Sequence, residues 1–181
     1  QLRIAAGERL WFGQGDLQIR GHAIECRIYA EDPRAGFRPA PGPLLGYREP
    51  SGPWVRVDSG VVQGMEVPIH YDPMIAKLVV WGADRAQAID RARRALADYH
   101  LVGTQTSIPF FLALLDDDDF LAGHYDTGFI TPEWLSGQLE PSPESVDLAV
   151  IAAAIGAFER DKGLQRGATG DAAGGASNWK L

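Results

Sequence analysis

This 181-residue sequence has little cysteine, no surplus of basic residues and no long apolar run. Its single cysteine, Cys26, excludes an internal disulfide framework and a cysteine-rich zinc site. Acidic residues outnumber basic ones by 24 to 17, which opposes nonspecific binding to nucleic acid because phosphate contacts need a cationic surface. No apolar run approaches the roughly 20 residues that span a bilayer. These absences favour a cytoplasmic protein with neither a nucleic-acid nor a membrane partner.

Several common catalytic and metal-binding motifs are also missing. There is no Walker A loop, no G-x-S-x-G elbow and no pair of histidines at helical zinc-site spacing. His22, His70 and Asp72 are the best trio for a metal, but without such spacing we expect no metal site. Cys26 falls on the apolar face of a predicted strand, where a cysteine typically serves as a small hydrophobe and not as a nucleophile.

The segment from Leu17 to Glu31 alternates with a period of two, which is typical of a half-buried strand. One face holds Ile24, Cys26, Ile28 and Ala30, and the other holds Ala23, Glu25, Arg27 and Tyr29. Pro33 stops this strand, since proline cannot donate a hydrogen bond to a ladder.

The rest of the chain predicts further strands and helices. The predicted strands are Leu44–Arg48, Trp54–Asp58, Val61–Val67 and Met74–Trp81, and the turn EPSGP joins the first two in a hairpin. The predicted helices are Asp84–His100, Thr106–Leu115 and 144–160. The acidic run at 116–119 is either a solvated loop or the start of another short turn. We therefore expect an α+β fold, an antiparallel β-sheet packed with helices, followed by a helix and a flexible tail.

A change in composition suggests where the domain ends. Residues 163–178 read GLQRGATGDAAGGASN, which is typical of a linker. We expect one domain at 1–136, and at 137–181 a linker and helix that lead towards a downstream region. Because the chain begins at Gln1 without Met, inside a helix-like segment, we also expect it to be a piece of a longer protein.

Glu25 and Arg27 are the candidate site that the alternation itself points to. Two residues apart on a strand, they project to the same side and can pair. Such a pair is most often a surface salt bridge that contributes little. A functional alternative is that Arg27, which cannot lose its proton, supplies a fixed positive charge to a developing oxyanion. Asp72 directly precedes a predicted buried strand and could orient Arg27.

Five blocks of the sequence carry a family resemblance. In chain order they are GHAIECRIYAEDP, FRPAPGPL, WVRVDSGV, YDPMIAKLVVWG and DTGFI. They resemble the C-terminal domain of biotin carboxylase, a unit of acetyl-, propionyl- and methylcrotonyl-CoA carboxylases and of pyruvate carboxylase. The resemblance is collinear over residues 1–136.

The resemblance implies an ATP-dependent ligase reaction. In this family, ATP and bicarbonate form carboxyphosphate, which delivers carbon dioxide to the N1′ nitrogen of biotin. The family's arginine in the ECR block falls on Arg27, which would stabilise the negative charge on the ureido oxygen, with Glu25 and Asp72 supporting it. The block that matches TGFI implies Phe129 and Ile130 as contacts of the ATP adenine, although both residues could equally belong to the core.

The resemblance also implies partners. The region around Trp54 to Arg56 joins two subunits in bacterial members, so Arg56 is either a homodimer contact or an ordinary surface arginine. The ATP-grasp half, with its ligands for Mg or Mn, precedes the region matched here, and we expect it to be missing from this chain. A biotin carrier domain and a carboxyltransferase are the other implied partners. We therefore expect the chain to be inactive alone. The alternative is a noncatalytic binding or dimerisation module.

Overall fold

The computed structural model describes residues 1–68, 70–141 and 143–170, with side chains up to residue 158. The strands are β1 (His22–Tyr29), β2 (Glu31–Asp32), β3 (Arg38–Pro39), β4 (Gly42–Pro43), β5 (Gly46–Arg48), β6 (Val55–Ser59), β7 (Glu66–Val67), β8 (Met74–Gly82) and β9 (His100–Val102). The α-helices are α1 (Leu2–Ala5), α2 (Arg85–Asp98), α3 (Ile108–Leu115), α4 (Asp118–Ala122), α5 (Pro132–Leu139) and α6 (Pro143–Gly170). The predicted α+β class, with antiparallel strands and packed helices, is confirmed.

A three-stranded antiparallel sheet in the order β1-β8-β6 positions the candidate site. The central strand, β8, is rich in β-branched and apolar residues, and its inward-facing Ala76, Leu78 and Val80 are almost fully buried. On β1, Cys26 and Ile28 are buried on the inner face as the alternation predicted. On the outer face Ala23, Glu25 and Arg27 are exposed and Tyr29 is partly buried, so the two faces of β1 differ most clearly from Glu25 to Ile28.

Helix α2 covers the inner face of this sheet. Its buried side chains recur at helical spacing and are Ala88, Ile89, Ala92, Ala95 and Leu96. The predicted N-cap is confirmed, since the Asp84 carboxylate accepts a 2.8 Å hydrogen bond from the Gln87 backbone N–H. Helix and sheet together enclose one hydrophobic core in which Leu78 and Leu96 are 0% and 1% exposed.

The predicted hairpin between Leu44–Arg48 and Trp54–Asp58 is wrong. Strand β5 pairs with β9, and β6 pairs with β8, so the two segments belong to different sheets. The reason is tertiary competition. On β5, the Tyr47 hydroxyl lies 2.8 Å from the hydroxyl of Tyr99, while Val55 and Val57 of β6 pack against the core.

The predicted strand Val61–Val67 is also wrong except for its last two residues. Only Glu66–Val67 is extended in a ladder, where it pairs with Gly42–Pro43. A turn occupies the preceding residues, because Met65 donates to the Val62 carbonyl and Gly64 adopts a φ of 87°. A positive φ of this kind favours glycine, and it interrupts an extended run.

The acidic run begins a short helix instead of forming a plain loop. The Asp117 carboxylate accepts a 3.0 Å hydrogen bond from the Phe120 N–H and caps α4. Its other oxygen accepts a 2.9 Å bond from the indole N–H of Trp134. The alternative prediction, that the run starts another turn, is therefore the correct one.

The chain divides into two compact units, Gln1–Leu139 and Glu140–Leu181. The second unit contains α6, which confirms the helix predicted at 144–160 but continues to Gly170. Residues 163–170, whose composition is typical of a linker, are helical, since α6 continues through them. Residues 171–181, the rest of the predicted tail, lie outside the described residues. The assignment of 137–181 as a linker towards a downstream region stays a prediction.

Within the described residues no helix is long and apolar enough to cross a membrane.

Candidate active site

Arg27 and Glu25 form an ion pair on the outer face of β1. The Arg27 Nε–H donates a 2.9 Å hydrogen bond to Glu25 Oε1. The contact arises because residues two apart on a strand project to the same face. The two side chains remain 58% and 42% exposed, so the guanidinium is accessible to a ligand. Its terminal nitrogens carry further N–H donors that the contact with Glu25 Oε1 through Nε does not use.

The pairing shifts both pKa values in the direction that keeps the two groups charged. The hydrogen bond from Arg27 is the main cause of the lowered pKa of Glu25, against a smaller opposing effect of desolvation. The same hydrogen bond raises the pKa of Arg27, and the Tyr29 side chain is the next contributor. Arg27 is therefore a permanent cation across the physiological range.

Three more charged side chains share this face of the sheet. Lys77 on β8 lies directly opposite Arg27, and Asp58 on β6 lies opposite Lys77. Arg56 pairs with Asp58 at 3.2 Å between Nη2 and Oδ2. Directly opposed residues of antiparallel strands point to the same side. With Glu25 and Arg27, the face thus holds three cations and two anions, so its net charge is positive.

Asp72 precedes β8 and contacts groups other than Arg27. Its Oδ1 accepts a 3.0 Å hydrogen bond from the Met74 N–H at the start of β8. Its negative charge also contributes to the raised pKa of Glu31, for which desolvation is the larger cause. Among the described residues, no hydrogen bond or ion pair joins Asp72 to Arg27. Of the two predicted supports for Arg27, the structure brings only Glu25 into contact with it.

Ser107 is a neighbour of the site that the sequence reasoning missed. Its hydroxyl donates a 3.1 Å hydrogen bond to the Arg27 carbonyl and accepts a 3.0 Å bond from the Tyr29 N–H. The only signal in the sequence was its position two residues before Pro109, at a predicted helix start. That position suggests an N-cap and does not reveal a contact with a strand about 80 residues earlier.

Phe129 and Ile130 are far from β1 in sequence. The Phe129 ring centroid lies 6.3 Å from that of Tyr125 and 6.0 Å from that of Trp134. Phe129 also lines an open concavity together with His124 and Asp126. An aromatic ring at the edge of a concavity is suited to stacking on a flat heterocycle, so the adenine contact stays a prediction with a suitable local surface.

The remaining candidates carry no reactive arrangement. Within the described residues, no group of three or more His, Cys, Asp or Glu side chains could hold a metal ion. Cys26 is 2% exposed, and burial raises the pKa of its thiol to about 12. It is therefore protonated at neutral pH and packs as a hydrophobe, as the alternation predicted.

Several known proteins are similar to this chain over the region that holds the site. A family model for the biotin carboxylase C-terminal domain matches residues 25–132. The biotin carboxylase of a Nostoc species is 50% identical over 130 residues, which are 72% of this chain and 29% of that protein. The mitochondrial alpha chain of methylcrotonoyl-CoA carboxylase from Mus musculus is 43% identical over 163 residues, 90% of this chain and 23% of that protein.

A solved structure with the same fold is the biotin carboxylase domain dimer of the 2-oxoglutarate carboxylase from Hydrogenobacter thermophilus, in complex with MgADP, ADP and bicarbonate. It is 41% identical, with a TM-score of 0.71, over 74% of this chain and 30% of that one. The chain spans only 23% to 29% of the length of the two curated relatives named above. On the match of the family model over more than half of its residues, the chain belongs to the biotin carboxylase C-terminal domain family.

Proposed function

We propose that this domain forms the biotin-side wall of the active site of an ATP-dependent biotin carboxylase. The observation that carries the proposal is the accessible Arg27 guanidinium, held by Glu25 on a rigid strand of this family's domain. The bound biotin would supply a ureido nitrogen as the acceptor of a carboxyl group derived from bicarbonate.

Arg27 would bind the ureido oxygen through the N–H donors that Glu25 leaves free. A fixed cation stabilises negative charge on that oxygen without needing to reorganise, which is the usual source of large catalytic effects. Glu25 orients the guanidinium by its hydrogen bond to Nε. Asp72 is proposed as a more distant support, since its carboxylate bonds to the Met74 backbone.

The charge balance of the sheet face favours an anionic ligand at this position. Arg27 and Lys77 face each other directly across the β1–β8 ladder. Glu25 and Asp58 offset part of this charge, and the net positive charge that remains on the face would attract an anionic oxygen.

The remaining groups of the reaction are assigned as follows. Phe129 and Ile130 are proposed as apolar contacts of the ATP adenine, supported by the open concavity beside Phe129. The described residues offer no cluster for Mg or Mn, so its ligands are expected in the ATP-grasp half, outside this chain. Partners would be that half, a biotin carrier, a carboxyltransferase and a second copy of the domain. Arg56, exposed on the edge strand β6, is the proposed dimer contact.

The test is bicarbonate-dependent ATP cleavage stimulated by free biotin, measured on the full-length protein that carries this domain. Arg27→Gln should lower the biotin-stimulated rate by about 10²–10³-fold, as loss of one preorganised donor typically does. Arg48→Gln, which removes an exposed arginine from β5, is the matched control and should leave the rate unchanged.

Two other results would separate the competing explanations. If the unmodified protein is active and Arg27→Gln retains that rate, the site is wrong and the pair is a surface salt bridge. If the unmodified protein shows no biotin-stimulated cleavage at all, the noncatalytic binding or dimerisation module becomes the better explanation.

A further inference from the structure

The backbone that carries Arg27 lies at an edge of the sheet. In the order β1-β8-β6, only one side of β1 pairs with β8. The other side of an edge strand presents N–H and C=O groups that need partners. Next to Arg27 these partners come from Ser107, which is distant in sequence and stands at the start of α3.

Three hydrogen bonds connect Ser107 to this edge. The hydroxyl donates to the Arg27 carbonyl at 3.1 Å and accepts from the Tyr29 N–H at 3.0 Å. The Ser107 backbone N–H donates to the Tyr29 carbonyl at 3.1 Å. Ser107 thereby mimics a short piece of neighbouring strand for the two residues on either side of Ile28.

The hydroxyl of Ser107 is diverted from its ordinary use. Ser107 occupies the N-cap position of α3, where a serine oxygen usually accepts a bond from a helical N–H. Here it makes no such capping bond, and both of its hydrogen bonds go to β1. The residue is only 3% exposed, so water cannot replace the hydroxyl without rearrangement.

The contact coincides with an irregularity in the β1–β8 ladder. The register shifts between Ile28 and Tyr29. A bulge re-aims the side chains beside it and leaves part of the ladder unpaired. Ser107 bonds to the backbone on both sides of this shift, to the Arg27 carbonyl before it and to the Tyr29 N–H after it.

We propose that Ser107 is a positioning residue that holds the Arg27–Tyr29 backbone, and so aims the Arg27 guanidinium at its ligand. The proposal rests on the proposed function, in which Arg27 binds the ureido oxygen. Ser107 itself touches no ligand. Its loss would leave the charge of Arg27 intact but let its position vary, and small misplacements of a catalytic group cost large factors in rate.

The experiment compares Ser107→Ala, Arg27→Gln and the double variant in the full-length protein. We expect Ser107→Ala to lower the biotin-stimulated kcat by about tenfold while the KM for ATP stays unchanged. If Ser107 acts through Arg27, the double variant is no slower than Arg27→Gln alone. Hydrogen exchange of the Tyr29 amide in Ser107→Ala should accelerate by about tenfold, because its acceptor is gone.

Thr106→Ala is the matched control. The Thr106 hydroxyl accepts from the Ile108 N–H at the same helix start, whereas the bonds to β1 come from Ser107. This variant should therefore reproduce any general loosening of α3 without lowering the biotin-stimulated kcat or exposing the Tyr29 amide.

The possible failures point to different errors. If Ser107→Ala keeps the kcat of the unmodified protein while Arg27→Gln is inactive, the positioning role of Ser107 is wrong and the proposed function stands. The positioning role would also be wrong if the rate losses of the two single variants multiply in the double variant, or if Thr106→Ala lowers kcat as much as Ser107→Ala does. An active Arg27→Gln would overturn the proposed function and, with it, the role of Ser107.

Discussion

The two faces of strand β1 differ in burial and in charge, although their residues alternate along eight positions of the same strand. Inward, Cys26 and Ile28 are 2% and 0% exposed and belong to the core. Outward, Glu25 and Arg27 are exposed and carry opposite charges held 2.9 Å apart. Rigid packing on one face fixes the backbone, and that backbone presents a fixed charge on the other. Substitutions at neighbouring positions should therefore act differently: those on the buried face should change stability, and those on the exposed face should change charge.

The largest expected contrast is in thiol reactivity. The pKa of Cys26 is raised from 9.0 to about 12, mainly by desolvation. At neutral pH the reactive thiolate is then about a thousandfold scarcer than for an ordinary cysteine. Labelling with a disulfide reagent should be very slow in the native chain and fast in urea. Ala23→Cys in a Cys26→Ala background places the thiol on the opposite face of the strand and should react readily. Equal rates for the two positions would contradict the burial of Cys26.

The next contrast concerns packing. Ile28→Ala removes a fully buried side chain from the sheet–helix core and should lower the free energy of unfolding by about 2–5 kcal/mol. Arg27→Gln, one residue away on the exposed face, should change stability only slightly. Urea unfolding of the chain measures both. Similar losses for the two variants would mean that the outer face contributes to the fold as much as the core.

A smaller effect is expected from a polar atom placed in the core. Cys26→Ser is nearly isosteric, but its hydroxyl would be buried among apolar side chains and cost about 1–3 kcal/mol if it finds no partner. Ala23→Ser, which places a hydroxyl on the exposed face of the same strand, should stay within about 0.5 kcal/mol. A stability loss in Ala23→Ser as large as that in Cys26→Ser would show that the faces are less distinct than the exposures indicate.

The smallest effect is electrostatic and depends on pH. The folded-state pKa of Glu25 is lowered, chiefly by the hydrogen bond from Arg27. Its contribution to stability is therefore present above the unfolded pKa and is lost as pH falls through the lower folded value. The melting temperatures of the chain and of Glu25→Gln should differ slightly at neutral pH and converge in acid. In an Arg27→Gln background the pH-dependent gap between the chain and its Glu25→Gln variant should shrink, leaving only the smaller effects of Lys77 and Arg56. A gap of undiminished size there would show that Arg27 is not the main cause of the lowered pKa.

The strength of local signals explains which parts of the fold could be predicted. The alternation of β1, the apolar strand β8 and the capped helix α2 were predicted correctly because each has a strong local period or cap. The hairpin of 44–58 failed because turn residues between two short strands do not determine their partners. Those strands pair with β9 and β8, where Tyr47 meets Tyr99 and the valines of β6 reach the core.

The candidate site divides in the same way. The contact between Glu25 and Arg27 follows from a spacing of two on a strand, and the sequence was sufficient to predict it. The support expected from Asp72 depended on a distance between chain segments that no spacing defines. Ser107 and Lys77 were missed for that reason, since they meet Arg27 only across tertiary contacts and strand register.

The amino-acid sequence by itself determined the family, the α+β class, the buried and exposed faces of β1, and the pairing of Glu25 with Arg27. These follow from local periodicity and from ordered motifs, which the chain carries without reference to distant segments. Only the tertiary structure decided which strands pair, that Asp72 bonds to Met74, and that Ser107 closes the open edge beside Arg27. The physical reason is that long-range pairing is chosen by competition among partners for the same core and the same backbone hydrogen bonds.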